Sequence, residues 1–484
     1  MDDASTIRLV APAADFIRQS LNRLPLGETV LHLLRYVLHK DFLDNLYEQH
    51  RGQGYEDILS FARLVELVAD ALLVHGGSAR KSLIHAQKHD ALPTCKEAFY
   101  GKLRRLPLPL SIPFLTEASS LLHALLPASD NPLPASVQRF DVLIVDGKKT
   151  KHVAKRLKLT RQCAGQLFGS KLLVGFNPVT RLIQNAAAHI DGEKNDNPLV
   201  PELLASLEPA GPRARIIVCD AQFCDLVQIS LYQQQGDHFL VRYHPKLHFH
   251  ADPARPATEF TDRKGRRLIE EHGWLGGPQD KRRCYVRRIT WKRTDHKDLI
   301  VVTDLHNERA GSVPIPAADL IDLYLIRWRI ETVFQEVTTV FGLKKLIGST
   351  AEATAFQAVF CMVVYNIIQV VRAYIATTQT KPLPVDDVSS TMLFDSIRKE
   401  LSALTVLVPP LALAEAIKPL RTVEHMRAYL QSRLGGLWEQ GWRKARNRQP
   451  RCYGPKKKGS GAHTSVYRVL QDHKMNPKAA PKGG

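Results

Sequence analysis

Two aspartates each close a short apolar run, Asp146 in DVLIVDGKK and Asp220 in RIIVCDAQF. An Asp in that position also serves as a turn former or helix cap, and Gly147 lets the chain turn sharply after Asp146 without the penalty of a Cβ. Two such runs on one sheet mean more than either alone. A third carboxylate, Glu331, lies in YLIRWRIETVFQEV. At 100° per residue, Ile326, Ile330, Val333, Val337 and Val340 gather on one side of a helix and face the core. Tyr324, Arg327, Glu331, Gln335 and Thr338 form a neighbouring polar stripe. On a solvated face the Arg327 and Glu331 pair would be a weak i,i+4 contact and nothing more. If the three carboxylates converge, two unit charges about 4 Å apart repel by roughly 4 kcal/mol at an effective dielectric near 20. Protons or metal ions must then compensate. Oxygen ligands without a His or Cys set favour Mg²⁺ or Mn²⁺, and two such ions suit an in-line phosphoryl displacement. Arg327 can clamp a phosphate with its planar fork, and Tyr324 can donate to a neighbouring phosphate oxygen.

The elements that must position these residues follow from the pattern around them. From Phe140 the chain reads as three short strands (DVLIV, KLLVGFNP, TRLIQNAAAHI), then helix, RIIVCD, helix and HFLVRYH. The first three suit an antiparallel meander. The two crossovers imply parallel pairing and put Asp146 and Asp220 at the carboxyl ends of their strands, where α/β sheets present ligand sites. Five segments result: a helical domain over 1–135, an α/β region over 136–245, a β-rich insertion over 246–312, a helical part over 313–378 that carries Glu331, and a helical region with a basic tail over 379–484. PASDNPLPASVQ serves as the linker after the first.

The order Asp146, Asp220, β-rich insertion, then Tyr324-x2-Arg327-x3-Glu331 resembles the insertion-sequence-4 family of bacterial DDE transposases over roughly Phe140 to Thr377. The resemblance implies an RNase-H-like α/β core, interrupted by the insertion. It also implies Asp146, Asp220 and Glu331 as the metal-binding triad, and Tyr324 and Arg327 as members of a Tyr-Arg-Glu-Lys signature. The expected activity is metal-dependent cleavage and strand transfer at the terminal inverted repeats of an insertion sequence. A homodimer would hold two DNA ends, with the N-terminal helices binding DNA. The alternatives are a nuclease of the same fold without strand transfer, and a catalytically decayed DNA-binding derivative. The signature lysine would fall at position 338, where this chain has Thr338. Lys344 or Lys345 is expected to replace its phosphate contact.

Composition agrees with a polyanionic partner. Lys and Arg outnumber Asp and Glu by 67 to 48, a formal charge of +19, which favours double-stranded DNA over a small acidic substrate. Trp274 and Trp291 in the insertion are candidates for stacking on an unpaired base. The tail WRKARNRQPRCYGPKKK is suited to phosphate contacts. His189, Asp191 and Glu193 read as loop residues rather than ligands. The seven cysteines form no CxxC pair and read as reduced thiols. The acidic, mixed N-terminus lacks the pattern of an export signal, so the cytosol is expected. The apolar stretch Ala355 to Ile375 carries Gln357, Asn366, Gln369 and Arg372, as a helix buried in protein does, and no membrane association is expected.

Overall fold

The computed structural model describes residues 14–52, 59–88, 94–151, 153–163, 165–207, 213–294, 296–306, 314–339, 348–444 and 463–475. Seven helices come first: α1 (Ala14–Arg23), α2 (Pro25–Val37), α3 (Lys40–His50), α4 (Phe61–Leu73), α5 (Ala79–Lys88), α6 (Lys96–Arg104) and α7 (Ser111–Leu125). Next are β1 (Asp141–Lys149), α8 (Lys158–Arg161), β2 (Leu167–Phe168), β3 (Lys171–Phe176), β4 (Ile183–His189), α9 (Val200–Ala205), β5 (Arg215–Cys219), α10 (Leu226–Gln234) and β6 (His238–Arg242). Five strands follow: β7 (Phe249–Ala251), β8 (Thr258–Thr261), β9 (Arg267–Leu275), β10 (Cys284–Lys292) and β11 (Leu299–Thr303). The remainder comprises α11 (Ala317–Ile326), α12 (Trp328–Thr339), α13 (Ala351–Thr377), α14 (Ser390–Leu407), α15 (Pro410–Ala416), α16 (Val423–Leu434), β12 (Thr464–Ser465) and α17 (Val466–Met475).

The chain divides into two compact units: a helical one (1–129, 152–161 and 336–462) and an α/β one (130–151, 162–335 and 463–484). In the helical unit α13 is the central rod. It is long and apolar enough to cross a membrane, yet its most apolar stretch is wholly buried inside the protein. Its polar side chains are met within the unit: Asn366 donates to Ser119 Oγ (2.9 Å), Tyr374 to the Leu125 carbonyl (2.9 Å), and Arg372 to Gln369 (3.0 Å). Buried polar groups need such partners, since leaving one unpaired costs about 1–3 kcal/mol.

Among the described residues of the α/β unit, ten strands form one mixed sheet in the order β4-β3-β1-β5-β6-β11-β10-β9-β7, with β8 paired to β9. β1, β3 and β4 make the expected antiparallel meander, and β1, β5 and β6 pair in parallel. The β-rich segment expected over 246–312 holds β7 to β11 and extends this same sheet, because β11 pairs antiparallel with β6. Side chains alternate across the pleat. Leu143 and Val145 of β1, Ile217 and Cys219 of β5, and Phe239 and Val241 of β6 share a core with Leu203, Leu204, Ile229 and Tyr232 from α9 and α10. The even-numbered residues of β1, Asp146 among them, and of β5 take the opposite face, and Asp220 follows β5 in the same alternation.

Candidate functional site

The parallel ladder between β1 and β5 runs from Asp141↔Arg215 to Ile144↔Val218. Continued two residues, the same register sets Asp146 directly beside Asp220, on neighbouring strands about 4.8 Å apart. Asp220 follows the last residue of β5, as expected, but Asp146 does not end its strand. β1 continues to Lys149 along β3 after its parallel partner has stopped. Gly147 therefore sits inside a strand rather than at a sharp turn. Its lack of a side chain has another cause: a Cβ there would lie 2.2 Å from Asp196 Oδ1.

Each aspartate is oriented by local backbone. The Gly147 N–H donates to Asp146 Oδ1 (2.8 Å), and the Gln222 N–H donates to Asp220 Oδ1 (2.9 Å) at the start of the 3-10 turn Ala221–Phe223. The third carboxylate arrives on α12. The periodicity predicts one helix through Tyr324 and Glu331, whereas the structure closes α11 at Ile326 and opens α12 at Trp328. At the joint the Arg327 N–H bonds to the Tyr324 carbonyl (3.0 Å) and the Ile330 N–H to the Arg327 carbonyl (3.1 Å), the tighter i−3 pattern of a 3-10 turn. The expected polar stripe is thereby divided by depth. Tyr324 and Arg327 are buried, Glu331 and Gln335 are exposed, and Thr338 is half-buried. Of the expected core side, Ile330, Val333 and Val337 are buried, Ile326 only partly, and Val340 lies outside the described residues.

Arg327 joins the strands to the helix. Its Nη1 lies 3.5 Å from Asp146 Oδ2 and its Nη2 3.1 Å from Glu331 Oε1. One cation thus touches two of the three carboxylates. Burial opposes the charge on Arg327, but Tyr324, Asp146 and Glu331 outweigh it and raise the affinity for its proton. Burial pushes the Asp146 carboxyl up to about 6, with Asp220 and Asp196 adding to the rise and the Gly147 N–H and Arg327 opposing it. Burial likewise raises the Tyr324 hydroxyl. Oxygen-only donors such as Asp146, Asp220 and Glu331 are the type that suits a hard divalent cation, and a cation would relieve the burial and the neighbouring aspartates that raise the Asp146 carboxyl.

Four further residues at this site had no distinct signal in the sequence. Lys148, on the same pleat face as Asp146, donates to the Phe334 carbonyl (3.2 Å) and lies over the Phe334 ring. Burial, then Lys151, pushes its amine down to about 8. Asp196 and Lys171 form a buried ion pair, and Gln222 donates to Asp196 Oδ2 (2.6 Å). An Asp before a helical turn reads as a cap, yet the Asp196 side chain makes no capping bond.

Other candidates lie apart from the carboxylates. Trp274 and Trp291 are on β9 and β10, five and four strands from β1, or about 24 and 19 Å at about 4.8 Å per strand. Trp274 stands edge-on to Tyr285 (5.0 Å) under Arg283 (4.4 Å), and Trp291 is flanked by Arg266 and Arg293. Lys344 and Lys345 lie outside the described residues. Asp191 and Glu193 form ion pairs with Arg468, and His189 accepts the Asp191 N–H (3.0 Å).

Residues 138–367 match the family model described as the transposase DDE domain. No curated protein sequence matches the chain. A loose likeness of 10% identity and TM-score 0.37, over 86% of this chain and 85% of the other, links it to the piggyBac transposase in a synaptic complex with hairpin DNA. The residues that bring Asp146, Asp220 and Arg327 together lie within the match to the transposase DDE domain, and the chain is a DDE-type DNA-processing enzyme.

Proposed function

We propose that this chain is the transposase of a bacterial insertion sequence of the insertion-sequence-4 type. It binds terminal inverted repeats in double-stranded DNA as a homodimer, cleaves strands and joins the freed 3′ ends to target DNA. Asp146, Asp220 and Glu331 are the catalytic ligands. The single observation that carries this reading is the Arg327 bridge from Asp146 to Glu331, with Asp220 in register beside Asp146. Mg²⁺ or Mn²⁺, as a pair of ions, would supply an activated water and charge neutralisation at the leaving oxygen. The protein's own part is to fix the ligands and grip the phosphate. The Arg327 Nε is buried without an acceptor among the described residues, a donor that a phosphate oxygen would satisfy. Tyr324 stands beside it, within cation–π range at 5.8 Å.

The test is a comparison of Asp146→Asn, Asp220→Asn and Glu331→Gln with the parent on supercoiled plasmid and on precleaved ends. Each should abolish Mg²⁺-dependent nicking and strand transfer while leaving DNA affinity within about twofold, because the changes remove metal ligands rather than phosphate contacts. Full nicking by any one of them removes that residue from the site. Nicking without strand transfer in the parent would make the protein a nuclease.

A further inference from the structure

Asp196 is a buried carboxylate that the three-ligand site does not use. It precedes the 3-10 turn Asn197–Leu199, far in sequence from both aspartates, and its side chain is 7% exposed. Three contacts converge on it, and a fourth is made by its neighbour Asn197. It pairs with Lys171 at the start of β3, the strand that flanks β1. It accepts the side-chain amide of Gln222, whose own backbone N–H holds Asp220. Its carboxylate lies over Gly147, where a Cβ would collide with it. The neighbouring Asn197 donates to the Gln222 carbonyl (3.1 Å), doubling the link between the two loops. The group therefore touches the residue after Asp146 and the residue two beyond Asp220.

We propose that Asp196 is a positioning residue that sets the separation of Asp146 and Asp220, so that the pair is preorganised to share a divalent cation. The carboxylate chemistry explains why an Asp stands here. One oxygen faces the buried Lys171 ammonium and the other takes the Gln222 amide, so a neutral side chain leaves the Lys171 charge uncompensated in a buried setting. Outer-shell partners of this kind fix ligand orientation, and losing one typically costs about 10- to 100-fold in metal affinity. The inference rests on the assignment of Asp146 and Asp220 as ligands.

The test measures Mn²⁺ binding to the full chain by electron paramagnetic resonance without DNA, and Mn²⁺-dependent nicking of supercoiled plasmid. Asp196→Ala should weaken Mn²⁺ binding about tenfold and raise the Mn²⁺ needed for half-maximal nicking by about the same factor. The rate at saturating Mn²⁺ should stay within about threefold of the parent, since excess metal offsets lost preorganisation. Asp196→Asn, which keeps an acceptor for Gln222, should recover part of the affinity. Parent-like Mn²⁺ binding in Asp196→Ala overturns the proposal. So does a rate loss that is equal at every Mn²⁺ concentration, which marks a merely structural role, or a complete loss of binding in both variants, which marks a ligand. If Asp196→Ala fails to fold, the exposed Gln222→Ala decides: binding weakened about threefold supports the proposal and unchanged binding overturns it. Asp146→Asn and Asp220→Asn are run alongside. If both bind Mn²⁺ like the parent, the ligand assignment fails. If they lose binding while Asp196→Ala retains it, only the positioning role fails.

Discussion

At the scale of single residues, Arg327 shows why a charged group is placed inside the protein. Its guanidinium spans Asp146 and Glu331 through two different nitrogens, a geometry that a point charge on a flexible stem does not reproduce. Arg327→Lys should therefore keep the charge and lose the bridge. The expected outcome is a fall of at least about tenfold in nicking rate, or about 1.4 kcal/mol in the barrier, with DNA affinity much less affected. Nicking kinetics at saturating metal check it, and a parent-like rate would show that charge alone is what the site requires. The same residues show what a sequence exposes. Asp146 and Asp220 stand out in the sequence because each closes an apolar run, and Glu331 because it shares a polar helix stripe with Arg327. Asp196, Lys171 and Gln222 do not, because their contacts come from loops and strands distant in the chain. Gly147 was legible as a special position for the wrong reason: its missing side chain makes room for Asp196 rather than for a turn.

At the scale of elements, periodicity gave the strands and the helix order well, and failed where tertiary demand broke a period. The break at Arg327 is the clearest case, since a continuous helix keeps Tyr324, Arg327 and Glu331 at like depth, while the observed joint buries the first two. A second element-level feature lies in the helical unit. Glu400 of α14 accepts the Gly27 N–H (2.9 Å) in the first turn of α2, satisfying one of the orphan donors at that helix end. Burial nevertheless pushes its carboxyl from the ordinary 4.5 up to about 7, with Glu439 adding to the rise. A folded-state value above the unfolded one means the folded protein holds the proton more tightly. That contribution to stability is fully present below about pH 4.5 and is lost as pH rises through about 7. Glu400→Gln keeps an acceptor without a charge to bury. It should gain on the order of 1 kcal/mol over the parent at pH 8, after discounting for solvent screening, and little at pH 5. Thermal melts of the two proteins at both pH values test this, and an equal difference at pH 5 and pH 8 would refute it.

At the scale of the whole molecule, the excess of 19 positive charges sets how the chain meets a polyanion. Part of that charge lies in the basic stretch after Trp442, where Arg446, Arg448, Arg451, Lys456, Lys457 and Lys458 occur with no carboxylate between them. The simplest experiment, truncation after Trp442, would mix two effects. Residues 463–475 return to the α/β unit: β12 pairs with β2, and Arg468 of α17 binds Asp191 and Glu193. A truncated chain would lose those contacts as well as its basic stretch, and its weaker DNA binding could reflect a loosened core. Neutralising the six side chains while keeping the C-terminal residues separates charge from structure. Each phosphate contact contributes a slope of about −0.9 in the logarithm of affinity against the logarithm of salt. If all six touch DNA, the neutralised protein should show a slope shallower by about 5, with an unchanged melting temperature. Fluorescence anisotropy on a DNA duplex between about 50 and 200 mM salt covers the range in which such contacts act. A slope equal to the parent's would show that the basic stretch does not contact DNA. The salt dependence would then belong to the folded units.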